Sequence, residues 1–129
     1  MRVLLLLASM LCAPSLLAQA RSCVPDATTL CLHRIFAITA VATHEGSVQH
    51  AHVGARFPAS GTFWIINPDA QDVLVRLADN CATNHVFTLG LASIRAVRVT
   101  VVDLRVQHEQ EYALDTSATF TTIPCGGRR

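Results

Sequence analysis

The chain has 129 residues, of which 51% are hydrophobic and 15% charged, with a formal charge of +1. That length suits one ordinary domain and is short for two. Arg is scattered and Lys is absent; once Arg2 is removed with the leader discussed next, the remaining Arg and acidic residues balance. No electrostatic footprint for nucleic acid or anionic lipid remains, so nucleic-acid binding is excluded as a reading.

Met1-Arg2, an apolar run from Val3 to Leu17 interrupted by Pro14, and Ala18-Gln19-Ala20 before Arg21 form the three parts of a secretory signal peptide, residues 1–20. The rival is a lipoprotein anchor on Cys12, disfavoured because Leu11 stands where a small residue is wanted. No later apolar run approaches the ~20 residues of a membrane span, so the chain from 21 to 129 is expected as one secreted or periplasmic domain. Its four cysteines, Cys23, Cys31, Cys81 and Cys125, are an even set without a C-x2-C pair, which points to two disulfides rather than zinc or a nucleophile.

After a loop through Val24–Thr29, His33–Thr43 alternates Phe36, Ile38, Ala40 and Ala42 on one face and reads as a strand. The segment from Thr43 to Ser60 is polar with Gly and Pro, giving a loop, a short edge strand and another loop. Gly61–Cys81 reads as a hairpin. Asn67-Pro68-Asp69-Ala70 is its turn, with Pro presetting φ at the second position. Val73, Val75 and Leu77 face a core, while Phe63, Trp64, Ile65 and Ile66 suggest a strand covered on both faces, with Trp64 in the core. Asn84–Leu91 is a further strand. From Val97 the inward set runs to Val101 and then changes phase to Val102, Leu104 and Val106, the mark of a β-bulge. Gln107–Gln110 is a connection, Glu111–Leu114 a short strand, and Ala118, Phe120 and Thr122 alternate through the last one. No capped segment with helical periodicity occurs. Short strands at this spacing predict an all-β fold, an antiparallel β-sandwich of about seven or eight strands stabilised by disulfides.

Cys23-Val24-Pro25 with Thr29-Leu30-Cys31-Leu32, Gly61-Thr62-Phe63-Trp64 before Asn67-Pro68, Leu74–Cys81, and Asp115–Phe120 before Cys125 resemble a family of exported, single-domain bacterial proteins of uncharacterised function. The resemblance covers nearly all of the chain after the leader. It departs at Phe87-Thr88, where that family tends to have an aromatic pair, and in a shortened loop before Asp115. It implies export and fold, and it transfers no catalytic residue.

Chemistry must be sought in the residues themselves. His50 and His52, two apart, would share one face of a strand and form a candidate metal site, with His44, Glu45 or His108 as a third ligand; the alternative is a polar edge strand and loop. Ser47, Ser60, Ser93 and Ser117 lack a nucleophile elbow, and no pair of carboxylates is placed as a glycosidase needs. The expected function is a secreted, non-enzymatic module that binds an extracytoplasmic ligand or protein, or serves a structural role, with no cofactor. A metal-binding protein using His50 and His52 is the alternative, and a small secreted hydrolase the third. Counting strand directions gathers all four cysteines at one end. Direction does not choose a pairing, and Cys31–Cys81 with Cys23–Cys125 is preferred because it would tie down the N-terminal arm and close longer loops.

Overall fold

The computed structural model describes residues 22–126; the expected leader, residues 1–20, and the Arg128-Arg129 tail lie outside the described residues. Ten strands form in chain order: β1 (Leu30–Leu32), β2 (Phe36–His44), β3 (Ser47–His50), β4 (His52–Arg56), β5 (Ser60–Trp64), β6 (Val73–Asn80), β7 (Val86–Ser93), β8 (Val97–Asp103), β9 (His108–Leu114) and β10 (Ser117–Pro124), with one helical turn, α1 (Cys81–Asn84), after β6. They make two antiparallel sheets of five strands. The first runs β1-β2-β8-β9 with β3 beside the far half of β2, and the second runs β10-β7-β6-β5-β4. The count exceeds seven or eight because β1 and β3 are too short to announce themselves in the pattern.

Alternation explains the layers. Phe36, Ile38 and Ala40 of β2 and Val97, Val99 and Val101 of β8 point inward against Phe63 of β5, Val73, Val75 and Leu77 of β6, and Phe87, Leu89 and Leu91 of β7, all buried. Phe36 and Phe87 meet edge to face at 5.3 Å between ring centroids. The Gly61–Cys81 hairpin forms as expected: Phe63 pairs with Val73 and Ser60 with Arg76, and the turn closes through Ala70 N–H to Asn67 C=O (2.9 Å) with Asp69 N–H donating to Asn67 Oδ1 (3.0 Å). Gly61 is required by the packing, since a Cβ there would lie 2.5 Å from the Leu30 side chain that crosses from the other sheet.

Three strand readings are corrected. The strand read over His33–Thr43 forms with Phe36, Ile38, Ala40 and Ala42 buried, but it starts at Phe36: Leu32 and Phe36 pair across a three-residue connection in which His33 and Arg34 both have positive φ, 49° and 58°, and Ile35 N–H donates to Leu32 C=O (3.1 Å). Such a turn normally advertises itself with Asn or Gly, and His-Arg carries no such signal. No bulge interrupts Val97–Val106. The inward set simply continues from Val101 to Asp103, which is 3% exposed, and the strand ends there; the irregularity in register lies instead between Val53 and Arg56 of β4. In β10 the set facing the core is Thr119, Thr121 and Ile123, and Phe120 lies outside.

A buried carboxylate survives at position 103 because Arg105 accompanies it. The guanidinium donates to Asp103 Oδ1 and Oδ2 (3.0 and 2.8 Å), and on to the carbonyls of Cys125 and Pro124 at the end of β10. Its carbon sits 5.4 and 5.5 Å from the Phe36 and Phe87 ring centroids, one ring from each sheet. A second buried carboxylate, Asp72 (2% exposed), accepts Ile65 N–H at 2.9 Å and faces Arg95 at 3.5 Å, joining the β5–β6 and β7–β8 connections.

The cysteines do gather at one end, but the pairing is Cys23–Cys31 and Cys81–Cys125, not the crossed arrangement. Cys23 N–H bonds Arg34 C=O (3.0 Å), folding the arm back onto the β1–β2 turn beside Cys31. Asn80 and Pro124 flank Val86 from opposite sides of β7. Strands two apart stand roughly 9–10 Å from each other, yet Cys81 and Cys125 have their Cα atoms 5.8 Å apart, because α1 turns Cys81 over the start of β7, where no strand intervenes.

Replacing Asp103 by Ala leaves the Arg105 charge half-buried without its carboxylate, so unfolding in urea should show a loss of about 3–5 kcal/mol, partly recovered in Asp103→Leu/Arg105→Met; a loss below about 1 kcal/mol would show that the pair does not hold the sheets. Tryptic mapping without reduction should find Cys23 and Cys31 bridged within the single peptide 22–34, and 77–95 joined to 106–128. Peptide 22–34 recovered attached to either of the others would contradict the pairing.

Candidate functional site

Neither of the two histidines expected to share a strand does so. His50 closes β3 in one sheet and His52 opens β4 in the other, the chain crossing between sheets at fully buried Ala51. His52 stacks on Trp64, rings 4.3 Å apart and inclined by 21°. His44 lies 3.7 Å from its neighbour Glu45 at the β2–β3 tip, while His108 pairs with Asp103 at the opposite end of its sheet. Among the described residues, the one group of three potential ligand atoms within 4.8 Å is Asp79, Cys81 and Cys125, whose sulfurs are bonded to each other. His33 and His108 each keep Nε2 buried without a hydrogen-bond partner among the described residues; the void beside His108, about 10 Å³, has room for a single water. Asp26, exposed on the N-terminal arm, is held below the ordinary carboxylate range by the N–H of Thr28 and then by Thr29, and so organises a local turn.

Trp64 is half-buried on the outer face of its sheet, and the core position is Phe63, which is fully buried. Although β5 is internal in its sheet, only one of its faces is covered by the other sheet. The outer face around it carries Leu74 (47% exposed), Arg76, Ala92 and Phe120.

One concavity lies at the end opposite the disulfides. The β2–β8 ladder stops at Val41↔Arg98, but β2 runs on to His44, accompanied there by β3 alone among the described residues. The β2–β3 tip therefore overhangs the first residues of β8 and the last of β9. The notch beneath it, about 520 Å³, is lined by Val41, Val48, Val97, Leu114, Arg98 and Asp115 among others. Val48, on a strand whose every residue is exposed, is itself 68% exposed. Across the outer face of the same sheet Arg98 meets Glu111 at 3.6 Å. One cation and one carboxylate at the rim of an apolar notch can orient a ligand. A concave, mainly apolar site with a few polar groups is the usual form of a binding pocket, and this volume is within the usual range.

Sequence reading missed this notch. The register offset that creates it is set by where β8 begins relative to β2, and Ala96-Val97 gives no local sign of a strand start. No family model matches the chain, and no curated protein or solved structure matches it.

The placement of the two adjacent aromatics has a measurable consequence. Phe63→Ala should cost about 3–5 kcal/mol in urea unfolding and Trp64→Ala clearly less; equal losses would place Trp64 in the core after all.

Proposed function

We propose that this chain is an exported, non-catalytic binding module that holds an apolar ligand or segment in the notch between the β2–β3 tip and the β8–β9 ends. The observation that carries the reading is the notch itself: apolar walls from Val41, Val48, Val97 and Leu114, with Arg98 and Asp115 at its rim. The polar side chains of the lining are Thr43, Arg98 and Asp115, a set suited to orienting a ligand and lacking the paired acid and base that hydrolysis uses. Export is supported by the leader sequence, by the two disulfides, which persist in oxidising compartments, and by the resemblance of Thr29–Leu32 and Gly61–Trp64 to exported single-domain proteins. The compartment is then the periplasm or the outside of the cell. Among the described residues no helix is long and apolar enough to cross a membrane.

An amide-shift screen by NMR, using small apolar acids and short extended peptides, tests the reading. Perturbations are expected to converge on Val41, Val48, Val97 and Leu114, and Val48→Asp should weaken the same ligands by roughly tenfold, as expected for putting a charge into an apolar contact. Hits that cluster elsewhere, or binding indifferent to Val48→Asp, would overturn it.

A further inference from the structure

A sandwich with open sheets has strand edges to protect, and in this fold three of the four are protected in recognisable ways. The edge formed by β1 and β3 consists of strands of three and four residues, the former held by the Cys23–Cys31 bridge. On the other side of that sheet β9 carries Glu109 and Glu111. At the far side of the second sheet β4 is irregular between Val53 and Arg56, and the N-terminal arm covers it: Val53 N–H donates to Ala27 C=O (2.8 Å), and Arg56 donates to the carbonyls of Thr29 and Asp26. Short strands, charge, irregularity and a covering segment are the known devices against edge-to-edge pairing.

Among the described residues, none of them is found over Ser117–Thr121 of β10. It is eight residues long, Ser117–Pro124, without a charge, and β7 is its strand neighbour on one side. Its register with β7 is unbroken from Ser117↔Ser93 to Pro124↔Val86. Arg105 reaches only its last carbonyls, from Pro124 onward. Phe120 lies on the outer face, 78% exposed, with its ring over Gly90, where a Cβ would meet it at 3.0 Å.

We propose that β10 is a docking edge for a second copy of this chain, joined antiparallel through the Ser117–Thr121 segment. Two features select a second copy over a foreign strand. In a two-fold antiparallel pair each residue meets its own strand's neighbours, so a charged edge such as β9 would oppose glutamates to glutamates, whereas uncharged β10 has nothing to repel. The pair also closes. The opposite end of the same sheet, β4, is blocked, so joining two copies yields one ten-stranded sheet and stops there rather than growing into a fibre. Two Phe120 rings then come onto one outer surface and shield each other from water.

Sedimentation velocity on the purified protein with disulfides intact, over roughly 1 µM to 1 mM, is expected to show a monomer–dimer equilibrium and no larger species. Phe120→Lys should raise the dimer dissociation constant by roughly tenfold or more by setting like charges side by side, with circular dichroism unchanged. Ala118→Glu, exposed on the same strand, gives the same readout should Phe120→Lys fail to fold. Leu74→Lys, on the same outer face two strands away, should leave the dimer intact. A parent that stays monomeric throughout, or a dimer indifferent to both β10 variants, overturns the proposal. So does a dimer broken by Leu74→Lys, which would mean that the sheets stack by their faces.

Discussion

Asp103 and Arg105 hold the two sheets in one arrangement. A carboxylate in the inward row of β8 would be prohibitively costly alone, and a guanidinium two residues later offsets it within the same turn. Because that guanidinium also lies between Phe36 and Phe87 and donates to the end of β10, one side chain links β8 and β2 in the first sheet with β7 and β10 in the second. Specific, directional contacts of this kind are what a face of Val, Leu and Ile lacks, and they fix which way the sheets slide and rotate over each other.

The consequence is a molecule with two unlike ends. At the Asp103 end lie both disulfides, the His33–Phe87 contact at 5.9 Å, and the backbone bonds from Cys23 to Arg34 and from Cys125 to His85. At the other, the β2–β3 tip stands beyond the β8 ladder and leaves the notch. A binding site suits the less constrained end, where a ligand can meet the edge of an element without competing with structural cross-links. The two sheets differ in the same spirit. The outer face around Arg98 and Glu111 carries charge, while that around Leu74 and Phe120 carries exposed apolar surface.

What the residues determined by themselves was the fold class and much of the core. Alternation in Phe36–Ala42, Val73–Leu77 and Phe87–Leu91 is a local property of an extended chain, because successive side chains must point to opposite faces, and the Asn67–Ala70 turn carries its geometry in Pro68. An even cysteine set likewise announced bridges. Tertiary structure decided everything that depends on which strands become neighbours. Cysteine pairing turned on α1 carrying Cys81 over the start of β7. The separation of His50 from His52 turned on the chain changing sheets at Ala51. The candidate notch turned on a register offset between β2 and β8. The inward direction of Asp103 was hidden because polarity ordinarily signals the solvent face, and it is Arg105, brought against it by the turn and lodged between two rings of opposing sheets, that offsets the cost of burying a charge at that position.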